Sequence, residues 1–372
     1  MKWMFWAAAA LVVYTYFGYA AWLWVRARLF PRPVRRGANQ PPVSIVMVVR
    51  NEEKVLREKL RNLLELDYPE HLYDVVVVSD GSTDATETIL REFSNSRVRI
   101  VLNQLSLGKA CGLNDGIQMA QGELVMFTDA RQKIEPGALR ILVENFTDPE
   151  VGCVSGELML GDPTAGESAE GMSLYWLVEK KVRELEGASG SVVGATGAFY
   201  AVRRELLHPV PAGTILDDVY LPMQVVRQGK RVIFEPRAQA WDRPDMGADR
   251  EFARKVRTLS GNYQLLQLAP WLLSAQNPIR FEFISHKVLR LVMPFALMVV
   301  FATSAFLPGL IYRISLFLQV TFYGMSVLAV VRLKRGLLAR GANAALTFVV
   351  LNTAAVAAFA NFIVGRKAVW SR

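Results

Sequence analysis

Three acidic motifs follow one another along this 372-residue sequence, each placed where an apolar run gives out. Asp80 stands just past the run 75–78 in VVVVSDGSTD, Asp129 past a second run in GELVMFTDAR, and Asp217 and Asp218 stand together in TILDDVYLP. Ligands of an open α/β sheet bind outside the carboxyl ends of its strands, so acids just beyond buried strands converge on one crevice. A nucleotide and a divalent cation are the ligands such a crevice suits.

Each motif also has a plain structural use. Asp80 makes an Asx turn while Ser82 or Thr83 caps the next helix, or it accepts a hydrogen bond from a nucleobase. Lys109, in SLGKACGLNDG, follows a glycine at a helix start. An ammonium beside the positive end of a helix suits a diphosphate, and a solvated surface lysine fits the segment equally. The spacing GxxxxGK[ST] is absent, so this is not a P-loop. Asp129 is a lone carboxylate, whereas magnesium usually takes one or two carboxylates plus substrate phosphate oxygens. Two residues further on stands Arg131 rather than a second acid. Asp217 and Asp218 open a helix, where the dipole stabilises acids. One of the pair can instead act as a general base toward a hydroxyl, and Asp218 is the choice.

A basic stripe accompanies these acids. Between residues 250 and 266, Phe252, Val256, Leu259, Tyr263 and Leu266 share one helical face, while Arg254, Arg257, Gly261 and Gln264 share a nearly opposite one. Such a helix lies in a lipid interface with solvated arginines, or turns Arg254 and Arg257 toward substrate phosphates, which planar guanidinium groups suit.

The elements that must position these groups are legible from periodicity. Runs at 43–49, 75–78, 98–102, 124–127 and 232–234 predict buried strands. Helices are predicted over 55–64, 83–93, 110–120, from Pro136 to about 145, over 168–186, and from Asp218 to Arg227 with Gly229 closing the last. The glycine-rich stretch 187–197 predicts a loop. Strands alternating with helices imply an α/β fold whose parallel sheet is covered on both faces.

Apolar residues make up 52% of the chain and gather at its two ends. Residues 3–25 carry no charge, and 291–311, 314–331 and 342–364 are further apolar segments, each of a length suited to a bilayer. Arg26, Arg28, Arg32, Arg35 and Arg36 follow the first segment, and Arg332, Lys334, Arg335 and Arg340 separate the last two. Basic flanks stay cytoplasmic, which puts the central region in the cytoplasm of a multi-pass plasma (inner) membrane protein. Arg366, Lys367 and Arg372 then fall outside, against the rule. The net charge of +9 lies largely beside the apolar segments, where it suits anionic lipid. Nucleic acid is not an expected partner. Cys111 and Cys153 have no metal-ligand spacing and are expected as reduced thiols. The expected organisation is an N-terminal membrane helix and basic linker over 1–39, a cytoplasmic domain over 40–248, interface helices over 249–288 and a membrane region over 289–372.

Taken in order, these segments resemble the family 2 glycosyltransferases, in their membrane-embedded, cellulose-synthase-like branch. PVSIVMVVRNEE resembles the family's first strand and nucleotide loop. SDGSTD resembles its first aspartate motif, which contacts the base, with Asp80 at the matching position. LGKACGLNDG resembles the GKxxALNxG segment, matching Lys109 and Asn114. FTDAR takes the place of the DxD motif, with Asp129 as its first aspartate. GATGAFYAVRREL resembles the acceptor-side segment and supplies Gly197. LDD takes the place of the TED motif, which puts Asp218 at the base with Asp217 beside it on the acceptor side.

Two departures stand out. Arg131 occupies the place of the second, metal-binding acid of DxD. RKVRT stands where processive synthases carry QxxRW, so Arg257 matches the arginine and Thr258 replaces the tryptophan.

The resemblance implies a GT-A-type, Rossmann-like nucleotide-sugar domain on flanking membrane helices, one N-terminal and about three C-terminal. It implies inverting transfer from a nucleotide-diphosphate sugar, a UDP-sugar, to a growing glycan of an exopolysaccharide or cell-envelope polysaccharide. Asp218 is then the base. Asp80, Lys109, Asn114, Asp129, Arg131, Arg254 and Arg257 hold the donor, and Asp129 holds Mg2+ or Mn2+, with Arg131 taking over part of the cation's work. A homo-oligomer or an export partner would complete a conduit. A single transfer to a membrane lipid acceptor is the alternative. A non-catalytic nucleotide-sugar-binding membrane protein, for which Arg131 speaks, is the alternative of a different class.

Overall fold

The computed structural model describes residues 1–161, 174–242, 248–330 and 337–365. The helix start expected at Ser168 and the basic residues Arg332, Lys334, Arg335, Arg366, Lys367 and Arg372 lie outside the described residues.

The first four strands, β1 (Val43–Val49), β2 (Tyr73–Asp80), β3 (Val98–Asn103) and β4 (Leu124–Thr128), pair in parallel in the order β3–β2–β1–β4. Successive side chains of a strand point to opposite faces. Val43, Ile45, Met47 and Val49 accordingly enter one core with Val75 and Val77, while Val46 and Val48 enter the other with Val76 and Val78. Both faces are buried, which is why these strands read as unbroken apolar runs. Each fully buried valine contributes roughly 1.5–3 kcal/mol of transfer free energy. The helix Lys109–Met119 lies close on this sheet because it presents glycines. A Cβ at Gly112 would stand 2.7 Å from Val48 Cγ1, and one at Gly116 only 2.5 Å from Val46 Cγ1.

The rest of the sheet corrects the expectation of an all-parallel arrangement. Four further strands, β5 (Lys133–Ile134), β6 (Val151–Leu160), β7 (Phe199–Arg203) and β8 (Arg231–Asp242), extend it to the order β3–β2–β1–β4–β7–β6–β8–β5. β7 runs antiparallel to both β4 and β6, and β8 pairs in parallel with β6 through two register shifts. β6 and β7 carry no sequence signal comparable to β1. Gly152, Gly156 and Glu157 break up β6, and β7 is five residues long. The loop expected from residue 187 begins later, because the helix Leu174–Ser189 runs on to Ser189. Cys111 and Cys153 are free thiols.

Among the described residues, four helices are long and apolar enough to cross a membrane: Lys2–Leu29, Arg280–Phe306, Leu310–Ala329 and Gly341–Ile363. The first two grip the soluble domain through a buried polar cluster. His286 faces Glu186 at 2.7 Å through Nδ1 and Glu179 at 3.0 Å through Nε2. The Tyr19 hydroxyl donates to Glu186 at 2.6 Å, and Arg290 donates to Glu179 at 2.7 Å. Burial opposes the Glu179 charge, but Arg290 and His286 outweigh it and hold its pKa well below the ordinary glutamate value. The last apolar helix comes back against the domain. Tyr263 of the helix Ala248–Leu268 packs on Phe359 and Phe362, and Phe362 and Gly365 line a cavity together with Lys109.

Candidate active site

The parallel half of the sheet delivers its residues by register. β1 lies between β2 and β4, with Val49 opposite Ser79 and Val46 opposite Phe127, so all three strands end at one edge. Arg50, Asp80 and Asp129 leave the sheet there. The other half adds Asp242 from the end of β8, and Asp217 and Asp218 from the start of the helix Asp217–Arg227. A cleft of about 310 Å3 lies between these groups and is lined by Lys109, Asp129, Arg131, Gly197, Asp217, Asp218, Arg254 and Arg257. A cavity of about 750 Å3 adjoins it and shares Arg50, Lys109, Ile215 and Arg257 with it.

Two residues expected at the site line neither cavity. Asp80 is fully buried, and its carboxylate accepts from Ser106 Oγ at 2.7 Å, Leu107 N at 2.8 Å and Gly108 N at 3.0 Å. It shapes the wall of the larger cavity through the loop ahead of Lys109. Asn114 lies outside both cavities. Its amide donates to Val210 O at 2.9 Å and accepts from Val210 N at 2.8 Å, which spends both ends on the backbone of a neighbouring loop.

Lys109 sits between two carboxylates, with Nζ 3.0 Å from Asp129 Oδ1 and 3.3 Å from Asp217 Oδ2. Burial disfavours its charge, yet Asp129 and Asp217 outweigh that and hold its pKa above the ordinary lysine value. The cleft therefore contains a permanent cation that ties the two halves of the sheet together. Asp217 thus belongs to the Lys109 side rather than to the acceptor side alone.

Asp218 is the group left poised to titrate. Burial, and then the adjacent Asp217 carboxylate, raise its pKa to about 6, with Lys109 and Arg183 among the groups opposing the shift. Its side chain lies against Gly197, where a Cβ would come 3.0 Å from Asp218 Oδ2. A larger residue at 197 would crowd that carboxylate oxygen. Arg183 donates to Thr196 Oγ1 at 2.7 Å and so fixes the segment that carries Gly197.

Arg131 lies 4.0 Å from Asp242 Oδ2, and the same oxygen accepts from Gln132 Nε2 at 3.1 Å. Its guanidinium is thereby held at the cleft wall. No group of three or more His, Cys, Asp or Glu side chains able to hold a metal occurs among the described residues. Asp129 supplies a partly exposed carboxylate, and Lys109 already pairs with one of its oxygens. The protein groups fit a divalent cation only when a ligand's phosphate oxygens complete the shell.

The amphipathic helix Ala248–Leu268 closes the site from the membrane side. Gln264 accepts from Ile215 N at 2.9 Å and donates to Gly213 O at 2.8 Å, and a Cβ at Gly261 would stand 2.6 Å from Leu216. The stripe with Arg254 and Arg257 thus faces the cleft, while Tyr263 faces the last apolar helix. Sequence reasoning missed Arg50 and Asp242. Both follow the rule that found Asp129, since each closes a strand. Arg50 was passed over as part of a loop, and Asp242 because β8 was read as ending at residue 234.

The fold is that of a GT-A-type glycosyltransferase carried on apolar helices. Residues 44–210 match the family model Glycosyl transferase family 2. It is similar to Poly-beta-1,6-N-acetyl-D-glucosamine synthase of Staphylococcus epidermidis, with 25% identity over 234 residues that cover 62% of this chain and 56% of the synthase. The synthase of the same description from Staphylococcus aureus (strain COL) is 24% identical over 255 residues, 64% of this chain and 60% of the relative. The chain thus matches less than two thirds of these relatives' length. Among solved structures, the mannosyltransferase PcManGT from Pyrobaculum calidifontis, in complex with GDP-Man and Mn2+, superposes with a TM-score of 0.74 at 23% identity. That likeness covers 98% of this chain and 99% of the other, so the fold is shared through the apolar helices.

Proposed function

We propose that the chain transfers a sugar, with inversion, from a nucleotide-diphosphate sugar, a UDP-sugar, to a growing glycan in exopolysaccharide or cell-envelope polysaccharide assembly. The domain would work on the cytoplasmic face of the plasma (inner) membrane. The observation that carries this is the pairing, in one cleft, of a carboxylate raised to about 6 with a wall of cations. A base tuned close to the working pH accepts a proton efficiently in the transition state. Asp218 takes the proton from the acceptor hydroxyl as that oxygen bonds to the anomeric carbon. The bond from that carbon to the diphosphate oxygen breaks, and its electron pair leaves with the diphosphate.

Lys109, Arg131, Arg254 and Arg257 stabilise the charge that gathers on the leaving diphosphate. Arg50 adds to them, since its Nε is buried without a partner at the edge of both cavities. Mg2+ or Mn2+ held by Asp129 and the diphosphate would supply further Lewis-acid neutralisation of the leaving group. The nucleoside occupies the larger cavity, whose wall Asp80 shapes through residues 106–108.

One observation favours single transfer to a lipid acceptor. Thr258 lines the cleft where an aromatic platform would hold a polymer, and the end of the last apolar helix lines the adjoining cavity. Nucleotide release measured across a panel of nucleotide-sugars, with mass analysis of products in the presence of membrane lipid, separates these outcomes. A long glycan supports assembly of a polymer. A lipid carrying one added sugar replaces that conclusion, and release from no donor rejects transfer altogether.

A further inference from the structure

Lys59 breaks an otherwise apolar stripe. On the helix Glu53–Leu64 it shares the buried face with Leu56, Leu60 and Leu63 and is only 3% exposed. A buried ammonium is costly unless its hydrogen bonds repay it, and an apolar side chain of similar length would complete the stripe. Core packing therefore does not account for this residue.

What it touches is the underside of the active cleft. Lys59 Nζ donates to Thr128 Oγ1 at 2.9 Å and to Gln132 O at 2.6 Å, the two ends of the turn that carries Asp129 and Arg131. The Thr128 hydroxyl in turn donates to Ala198 O at 2.9 Å, next to the Gly197 that lies against Asp218. Gln132 passes the connection to Asp242, the acid beside Arg131. One buried ammonium thus pins both ends of the donor-side turn, and one hydroxyl joins that turn to the acceptor-side segment. Lys59 lines neither cavity, and its hydrogen bonds go to Thr128 and to the carbonyl of Gln132 at the cleft.

We propose that Lys59 is a positioning residue that sets the turn 128–132, and through it Asp129 and Arg131, for the diphosphate of the donor. This rests on the transfer reaction above. Groups that must meet a transition state within a fraction of an ångström need such support from behind. Burial pushes the Lys59 pKa down to about 7, with Asp129 opposing the shift, and the amine keeps enough N–H bonds to reach both Thr128 Oγ1 and Gln132 O in either protonation state.

The test uses the purified full chain in lipid and compares the wild type with Lys59→Met, Thr128→Val and Thr128→Ser. The donor KM, the turnover at saturating donor and the Tm are measured for each. Lys59→Met and Thr128→Val are expected to raise the donor KM roughly tenfold or more, as small displacements of binding groups do. Thr128→Ser keeps the hydroxyl and should keep the KM. The Tm of Lys59→Met should equal or exceed that of the wild type, because methionine fills the stripe without a buried charge. A lowered Tm with fewer active molecules at unaltered KM would mean a merely structural lysine and overturn the assignment. If Lys59→Met does not fold, Thr128→Val reads the same connection from its other end, and an unchanged KM there overturns the assignment equally. A wild type inert toward every nucleotide-sugar overturns the transfer reaction and this inference together. An active wild type with unaltered variants overturns this inference alone.

Discussion

The half of the sheet that ends in Arg50 and Asp129 and the half that carries Asp217 and Asp218 are built on opposite plans. In the first, parallel strands with both faces buried bring their ends to one edge, and position follows from register. In the second, antiparallel and shifted pairings leave a helix start and a glycine segment to aim the acids. The first half holds fixed positive charge around Asp129. The second holds Asp218, whose pKa burial raises to about 6. On the proposed reaction, gripping the diphosphate falls to one half and moving the proton to the other, with Lys109 bridging them at 3.0 and 3.3 Å.

The contrast breaks most sharply at Asp218. Asp218→Asn should lower turnover by roughly 10²–10⁴-fold, the range of general base contributions. Nucleotide affinity, read by calorimetry, should stay close to wild type, and near-normal turnover would remove the base from the mechanism. Lys109→Met comes next, with a loss of about 10²–10³-fold, comparable to removal of one preorganised charge contact. Because Lys109 touches both halves, it should raise donor KM and lower turnover together. An effect on only one would dissolve the bridge.

The pH profile sharpens the same division. Asp218 accepts a proton only when ionised, so log kcat/KM should fall with unit slope below a pH of about 6 and level off above it. In Asp218→Glu that limb should move. An unmoved limb would assign it to another group. Gly197→Ala should cost roughly tenfold in turnover without changing donor affinity, because the added methyl would press on the base from 3.0 Å. A variant that lost donor affinity instead would place Gly197 on the other half. Chelation should have the smallest effect. With Lys109, Arg131 and Arg257 around the diphosphate site, EDTA should reduce the rate by less than Lys109→Met does. Complete loss, restored by Mg2+ or Mn2+, would return the leading role to the metal.

The two plans also explain what could be read from the sequence. β1 was legible to the residue, because a strand buried on both faces must be apolar throughout. Asp129 was legible because such a strand ends abruptly. β6 and β7 were not, since glycines and a glutamate interrupt one and the other is short, so the antiparallel half left no comparable pattern. Lys109, Asp217 and Asp218 were found by motif order, but their mutual pairing was not. Contacts between residues about a hundred positions apart have no local signature. Asn114's place in a motif said nothing of the Val210 backbone that takes its amide. Lys59 was visible as a lysine on an apolar stripe, yet its purpose required the turn above it.

The last apolar helix, Gly341–Ile363, reaches the wall of the larger cavity: Phe362 and Gly365 line it together with Lys109, and Tyr263 packs on Phe359 and Phe362. A shift of that helix would therefore be felt both at the cavity and along the helix Ala248–Leu268 that carries Arg254 and Arg257.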